Sequence, residues 1–376
     1  MPPTSNRKTV VKRAAVVVGV VVLAVVAWSG FQVWSAWRNV ERVEFETGSA
    51  REDLPGSNST TPIASTTTVA PTTASTTTPV SATTTTGSQP LNGSELTTFL
   101  VVGTDDSTVR ADVILLLMFP PGTSDAIMIS IPRDLWVRNP CTGTKTKINE
   151  NLFGCGSAAS GPEQLAIAVE DFAGIPPIDH FAVFTFPGFE AIIDRVGGVE
   201  VCVGDYRIRD LNEDFDNFQL PAGCSIADGE TALAWMRSRK TQQLTPAGWV
   251  AMPEVSDLTR NERQQEMLLA ALVELKGIRS IPELTGLVED LSDTFTIDEG
   301  LGLGDAIGFL WDFRSIGSDD IYRPVLDVRQ ATIGEDDPET EEVEVALAVL
   351  HLNVSFQETV IGTYPRAIEF FPDWSD

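Results

Sequence analysis

The chain has 376 residues, enough for one large domain or two small ones, and its formal net charge is −27 at pH 7. With an isoelectric point near 4.3, it lacks the sustained basic surface that displaces counterions from nucleic acid, so nucleic-acid binding is excluded. The same charge argues against broad adhesion of the folded part to anionic lipid.

The first feature in chain order is a membrane anchor. Four basic residues between Arg7 and Arg13 form a cytoplasmic tail (residues 1–13), and residues 14–37 carry no charge. About 20 apolar residues cross a bilayer core, and positive charges before the span keep the N-terminus in the cytoplasm. A cleaved signal peptide is the alternative, although we find no convincing cleavage site. We expect a single-pass protein of the cell membrane whose folded part is extracytoplasmic.

An extracytoplasmic stalk and linker are expected over residues 38–95. Thr, Ser, Pro and Ala dominate residues 48–93, and large apolar side chains are almost absent. Such a segment cannot bury enough surface to offset the entropy of ordering, so we predict a disordered tether. Random-coil scaling gives it a root-mean-square span of roughly 40 Å.

The folded domain is expected over residues 96–376, with its motifs in residues 96–277. Apolar runs that alternate with capped helical stretches indicate a three-layer α/β/α sandwich with a central mixed sheet. Strands are predicted over residues 98–103, 113–119, 126–131, 181–186 and 199–203, and helices over residues 160–174, 189–196, 228–239 and 259–277. Acidic residues 335–344 and apolar residues 343–350 are interpreted as a loop and strand of the same domain, with a small appended unit as the alternative.

Four cysteines follow the anchor, in a compartment where disulfides are the default. They allow three pairings, and their spacing is unlike that of zinc ligands. We favour the local pairs Cys141–Cys155 and Cys202–Cys224, because each pair brackets an irregular loop.

Arginine is concentrated at the ends of apolar runs, in four short motifs over residues 109–112, 131–134, 236–239 and 257–265. A guanidinium fork matches phosphate oxygens, so this pattern indicates a phosphorylated ligand. Arg260, Arg263 and Gln264 share one face of the predicted fourth helix. An anionic ligand or a salt-bridge network would compensate their charge, and both interpretations stay open. The pair Arg237 and Arg239 at a helix C-terminus also has a purely structural interpretation, because cations are favoured there.

Two carboxylates flank the turn after the first predicted strand. Asp105 follows that strand and Asp112 begins the next, at the end of the sheet where α/β proteins bind ligands. Brought together, they would hold a hard divalent cation. A polar turn with a capping Asp is the alternative. Lys147 adds an ammonium group suited to a phosphate, and His180 is expected to be structural.

Taken in order, these motifs resemble the LytR-CpsA-Psr family. The succession is Gly-Thr-Asp, Arg-Ala-Asp-Val, Ser-Ile-Pro-Arg-Asp, Lys-Ile-Asn, Ile-Asp-His-Phe, Gly-Gly-Val, Ala-Leu-x-x-x-Arg-x-Arg and Asp-x-x-Arg-x-x-Arg-Gln-Gln. The anchor and Thr-rich tether are also similar to those of actinobacterial members. The resemblance implies a phosphotransferase that moves a glycopolymer from a polyprenyl-pyrophosphate carrier onto peptidoglycan during cell wall assembly.

The resemblance also implies roles for individual residues. Asp105 and Asp112 would hold Mg²⁺, with Mn²⁺ as the alternative metal. Asp257, Arg133 and Arg260 would be catalytic, with Asp257 orienting arginines or assisting deprotonation of the acceptor hydroxyl. The implied pyrophosphate-binding residues are Arg110, Arg133, Lys147, Arg237, Arg239, Arg260, Arg263 and Gln264.

Two departures from the family pattern stand out. The first loop lacks the family's early arginine, and Asp106 or Ser107 stands there. Residues 241–256 form an insertion, which we predict to be a mobile loop over the site that contains Trp249. Two other functions stay open: a polyprenyl-pyrophosphate binding protein, and a pyrophosphatase that releases the carrier without transferring glycan.

Overall fold

A seven-stranded mixed sheet lies at the centre of the protein. The structure is a computed structural model. The structure describes residues 30–54, 96–104, 110–211, 217–238, 240–253, 294–313, 316–333 and 347–375, with single residues and short stretches between 263 and 289. The strands are β1 (Glu41–Val43), β2 (Thr97–Thr104), β3 (Ala111–Phe119), β4 (Ala126–Ser130), β5 (Trp136–Arg138), β6 (Lys145–Lys147), β7 (His180–Thr185), β8 (Val199–Val203), β9 (Ile208–Asp210), β10 (Phe218–Leu220), β11 (Gly223–Ala227), β12 (Gln242–Thr245), β13 (Gly248–Ala251), β14 (Phe295–Asp298), β15 (Ile321–Tyr322), β16 (Val328–Ile333) and β17 (Leu347–Leu352). The helices are α1 (Thr47–Asp53), α2 (Gly161–Ala173), α3 (Phe186–Val196), α4 (Gly229–Arg237), α5 (Leu303–Phe313) and α6 (Phe356–Thr363).

The central sheet has the strand order β1–β14–β7–β2–β3–β4–β15. β2 is parallel to β7 and antiparallel to β3, which is antiparallel to β4. The expectation of a mixed α/β fold with a central mixed sheet is therefore confirmed. The five predicted strands all exist, with ends that shift by no more than two residues.

Alternate side chains of the sheet enter two separate hydrophobic cores, as the period of two along a strand requires. On β2, Phe99 belongs to one core and Leu100 to the other. α3 and α4 pack on the first core through Phe189 and Leu233, and α2 packs on the second through Leu165. Helices therefore cover both faces of the sheet.

Capping interactions fix the helix ends. α2 begins with a capping box, in which Ser160 accepts from the Glu163 amide and Glu163 accepts from the Ser160 amide. It ends at Gly174, whose φ of 64° is left-handed. α3 begins at Phe186, three residues before its predicted start, because Thr185 caps the first turn. Of the fourth predicted helix, only isolated helical residues such as Arg263 and Met267 are described.

The N-terminal boundary of the folded domain is corrected by the structure. Residues 38–95 were expected to lie outside the domain, yet β1 pairs in parallel with β14 and extends the central sheet. α1 also falls within the predicted tether, and Ala50 packs beside Ile167 of α2. Arg51 donates to the buried Glu170 at 2.8 Å and forms an ion pair with Asp171. A seven-residue helix with so few apolar side chains leaves too weak a pattern to be recognised.

A second correction concerns residues 241–256, which were predicted to be a mobile loop. Residues 242–251 instead form the β12–β13 hairpin, and β12 pairs antiparallel with β9. The resulting four-stranded sheet has the order β10–β9–β12–β13. Trp249 lies on the outer strand of this hairpin.

The C-terminal segment packs on the same domain. β16 and β17 form an antiparallel hairpin, and β17 overlaps the strand predicted over residues 343–350, of which residues 343–346 lie outside the described residues. The Leu350 amide donates to the Asp134 carbonyl at 2.9 Å, which ties this hairpin to the loop after β4. The acidic run at residues 335–344 lies outside the described residues.

Both predicted cysteine pairs are bonded in the structure. The Cα atoms of Cys141 and Cys155 are 5.6 Å apart, and those of Cys202 and Cys224 are 4.0 Å apart. The second bond links opposite residues of β8 and β11. His180 is structural, as expected: its Nδ1 lies 3.2 Å from Asp298 in the interior of the sheet.

The predicted membrane anchor lies mostly outside the described residues. Its last part, residues 30–37, is helical. Among the helices that the structure describes, none is both long and apolar enough to span a bilayer.

We predict that Arg51→Ala destabilises the protein by about 2 kcal/mol, because it removes the cation beside a buried carboxylate. Burial raises the pKa of Glu170, and its contacts with Arg51 counteract that rise. Without Arg51 the pKa should rise further. A carboxyl whose pKa is raised on folding costs stability as the pH rises through that pKa. The deficit, measured by denaturant unfolding, should therefore be larger near neutral pH than near about pH 4.

The matched control is Arg323→Ala, which removes an exposed arginine. It should leave the free energy of unfolding unchanged within about 0.5 kcal/mol. An Arg51→Ala deficit that is the same at both pH values would contradict this account of Glu170.

Candidate active site

Three strands of the central sheet end at the same edge. Thr104 at the end of β2 pairs with Thr185 at the end of β7, and β4 ends beside them because β3 runs in the opposite direction. Gly103 is required here, because a Cβ atom would lie 2.7 Å from the Phe184 ring. This edge is where open α/β sheets bind ligands.

The loops at this edge carry an ion-paired chain of alternating charge. Arg133, after β4, forms an ion pair with Asp112 of β3, and its Nε lies 3.5 Å from Asp134. Asp134 in turn accepts from Lys147 at 2.7 Å. The Asn149 amide donates to the Arg133 carbonyl at 3.2 Å, which holds the two loops together. The structure thus brings together Asp112, Arg133 and Lys147, three of the predicted site residues.

Two further arginines lie against aromatic rings. The Arg110 guanidinium carbon is 5.7 Å from the Phe153 ring centroid, at the end of the 3₁₀ helix that follows Lys147. Arg237 is 4.5 Å from the ring of Phe186, the residue that follows the end of β7. In each contact the ring supports the face of the guanidinium, whose N–H donors lie at its edge. Arg110 and Arg237 are therefore presented at the same edge as Arg133.

Arg263 has a different environment. It is buried, and it donates to the carbonyls of Trp235 and Ser238, each at 2.7 Å. Its guanidinium carbon also lies 4.6 Å from the Trp235 ring. Burial lowers its pKa to about 10, so it remains cationic at neutral pH. These contacts hold the C-terminal end of α4, which carries Arg237.

The metal-site prediction is only partly covered by the described residues. Asp112 offers a hard oxygen donor of the kind Mg²⁺ uses, and one of its oxygens is already bound by Arg133. Within the described ranges, the single cluster with metal-ligand spacing is Glu200, Cys202 and Cys224, and its two cysteines form a disulfide. Asp112 therefore fits a role as one ligand, and the complete set depends on Asp105.

Several predicted site residues lie outside the described residues. They are Asp105, Arg239, Asp257, Arg260 and Gln264. Their assignment remains a prediction from the motifs.

Sequence reasoning missed the aromatic rings beneath the arginines. Phe153, Phe186 and Trp235 are each far in sequence from the arginine they contact, or lie on an element whose orientation the motif does not reveal. An aromatic residue at the first position after a buried strand, as at Phe186, is the one signal that would have indicated such a contact.

We predict that Arg263→Ala and Arg237→Ala differ in their effect on stability. Loss of Arg263 leaves two buried carbonyls without their donors and should lower the free energy of unfolding by about 3 kcal/mol. Loss of Arg237 should lower the free energy of unfolding by less than about 1 kcal/mol, because its guanidinium stacks on the Phe186 ring, and losing that contact leaves no buried carbonyl without its donor. Denaturant unfolding of both variants tests this, and equal losses would contradict the division of roles.

The sequence matches a protein family and several known proteins. The family model described as "LytR_cpsA_psr family" matches residues 60–340. Over 214 residues the chain is 30% identical to the polyisoprenyl-teichoic acid–peptidoglycan teichoic acid transferase TagT of Bacillus subtilis (strain 168), which covers 56% of this chain and 60% of that protein. Over 208 residues it is 31% identical to the probable cell wall biosynthesis protein LcpB of Corynebacterium glutamicum, covering 54% of this chain and 44% of LcpB.

The fold is shared with solved structures. The LytR-Csp2A-Psr enzyme from Actinomyces oris superimposes with a TM-score of 0.52 at 24% identity, covering 74% of this chain and 92% of that one. The match to the family model extends over most of the chain, including every motif of the site. The chain belongs to the LytR-CpsA-Psr family.

Proposed function

We propose that this protein transfers a glycopolymer from a polyprenyl-pyrophosphate carrier onto peptidoglycan. The observation that most supports this proposal is the set of three guanidinium groups at one edge of the sheet, which belong to Arg110, Arg133 and Arg237. A relative in the same family is named as a transferase of polyisoprenyl-linked teichoic acid to peptidoglycan. Because the matched region spans less than two thirds of that relative, the activity is proposed for this chain.

The reaction exchanges one phosphate bond for another. An acceptor hydroxyl oxygen attacks the phosphorus next to the glycan, and the bond between this phosphorus and the bridging oxygen breaks. The polyprenyl monophosphate leaves with that electron pair, and a glycan–peptidoglycan phosphodiester remains. The hydroxyl proton passes to a base, for which we propose Asp257. In such transfers, positioning and charge stabilisation supply most of the rate enhancement.

The ion-paired chain is suited to this work. Arg133 is neutralised by Asp112, and Lys147 by Asp134. A bound pyrophosphate would compete for these cations and gain charge-assisted hydrogen bonds from groups already in position. Arg239, Arg260 and Gln264 are proposed to complete the binding set, and Arg263 to support it from behind.

A divalent metal fits this proposal. Mg²⁺, or Mn²⁺ in its place, would be held by Asp112 together with Asp105, and it would neutralise charge on the pyrophosphate oxygens. We also propose that residues 14–37 anchor the protein in the cell membrane with the active domain outside, where both carrier and peptidoglycan are found.

Turnover separates transfer from the alternatives. The full chain would be incubated with a short-chain polyprenyl-pyrophosphate-linked glycan, peptidoglycan and Mg²⁺, and products followed by phosphorus NMR and mass spectrometry. We expect one glycan–peptidoglycan phosphodiester for each polyprenyl monophosphate released. Monophosphate release without linkage would indicate a pyrophosphatase. Binding of the donor without any release would indicate a carrier-binding protein.

We predict that Arg133→Lys lowers turnover by roughly 10²-fold or more, because lysine keeps the charge but cannot bind two phosphate oxygens with a rigid fork. The matched control is Arg138→Lys, an exposed arginine five residues away on β5. It should retain the wild-type rate within about twofold. Equal rates for Arg133→Lys and the wild type would exclude Arg133 from the reaction.

A further inference from the structure

In the β10–β9–β12–β13 sheet, strands β9 and β10 have one face on the core and one in solvent. Ile208, Phe218 and Leu220 are buried in the first core. Side chains alternate along a strand, so Arg209 and Gln219 lie on the opposite face, where they are partly or fully exposed. These two strands therefore present a polar outer face.

This outer face carries two guanidinium groups against one indole. The Arg209 guanidinium carbon is 3.9 Å from the Trp249 ring centroid, and that of Arg207 is 5.9 Å away. Arg209 Nε donates to Gln242 at 3.1 Å, and Arg207 Nη2 donates to Gln219 at 3.0 Å. We call these five residues the arginine–tryptophan face.

The charge of this face indicates an anionic ligand. Like charges on one face of a strand repel each other, and Arg207 and Arg209 are brought together here in a chain of net charge −27. Both terminal nitrogens of Arg209 are without an acceptor among the described residues. The neighbouring Asp210 points to the buried face, where it accepts from Ser238. A ligand carboxylate would compensate the two cations.

The flat groups of this face indicate a sugar as well. An indole offers an apolar plane for the C–H face of a pyranose ring, and amide and guanidinium edges offer hydrogen bonds to hydroxyl and acyl groups. The hydrogen bonds from Arg207 to Gln219 and from Arg209 to Gln242 hold the two arginines in place before any ligand binds. This lowers the entropy cost of binding.

The face is joined to the arginine site through a short buried segment. Ser238 Oγ donates to Asp210 at 2.5 Å and lies 2.6 Å from Thr241 Oγ1. The Ser238 carbonyl accepts from Arg263. The segment between α4 and β12 is therefore held at both ends, and it connects the end of α4 that carries Arg237 to the hairpin.

We propose that the arginine–tryptophan face binds the acceptor, an uncrosslinked peptidoglycan strand in which every second pyranose ring carries a peptide stem with carboxylates. This inference rests on the proposed function, because transfer needs a second substrate besides the carrier. The sugar rings would stack on the side of the Trp249 indole away from the Arg209 guanidinium, and stem carboxylates would pair with Arg207 and Arg209.

The test measures acceptor and donor binding separately. Wild type, Trp249→Ala, Arg209→Gln and the conservative Trp249→Phe would be compared in co-sedimentation with purified uncrosslinked peptidoglycan and in titration with a short-chain polyprenyl pyrophosphate. Val250→Ala is the matched control, because Val250 lies on the same strand and alternation places it on the other face. We expect Trp249→Ala and Arg209→Gln to weaken peptidoglycan binding by about tenfold, with Trp249→Phe and Val250→Ala within about twofold of wild type.

Binding of the polyprenyl-pyrophosphate donor distinguishes failure of the proposed function from failure of the acceptor proposal. If the wild type binds no polyprenyl pyrophosphate, the proposed function fails. If the donor binds normally and Trp249→Ala keeps peptidoglycan binding within about twofold of wild type, the acceptor proposal is wrong. It is also wrong if a phosphate-rich wall polymer free of carboxylates displaces peptidoglycan from the face, or if the substitutions change only the oligomeric state. Should Trp249→Ala fail to fold, Arg209→Gln decides between the same outcomes.

Discussion

Guanidinium groups gathered at one edge of a sheet repel one another unless something neutralises or supports them, and this constraint shapes the C-terminal edge of the central sheet. Asp112 and Asp134 neutralise Arg133 and Lys147. Aromatic rings support Arg110 and Arg237 from one side. Charge pairing and stacking together allow these cations to lie at one edge of the sheet, and a guanidinium fork matches phosphate oxygens.

The position of the arginines also depends on contacts made by residues outside the cluster. Arg263 was predicted as one more phosphate contact, but its guanidinium binds the end of α4 through two main-chain carbonyls. This places it as a positioning residue for Arg237 in our account. On the other side, the C-terminal hairpin binds the loop of Asp134 through Leu350. The site therefore depends on elements distant in sequence from its motifs.

The sequence predicted four of the seven strands in the central sheet, the extent of α2 and both cysteine pairs, because each has a local pattern: apolar runs, a helical stretch that opens at Ser160 and closes at Gly174, and short loops between cysteines. It did not predict α1 or β1, since a short polar helix is stabilised by the distant Glu170 rather than by its own composition. The β12–β13 hairpin was missed for a related reason: its pairing with β9 is not visible in the residues of the insertion. The motifs indicated which arginines belong to the site, whereas their aromatic and carboxylate partners required the fold.

The central claim is that the arginines at the edge of the sheet bind the carrier's pyrophosphate. The most direct measurement is an experimental structure of the protein with a short-chain polyprenyl pyrophosphate and Mg²⁺. The account predicts phosphate oxygens within hydrogen-bonding distance of Arg110, Arg133 and Arg237, with Arg263 still bound to the carbonyls of Trp235 and Ser238. A pyrophosphate bound elsewhere, with Arg133 making no contact to it, would contradict the account.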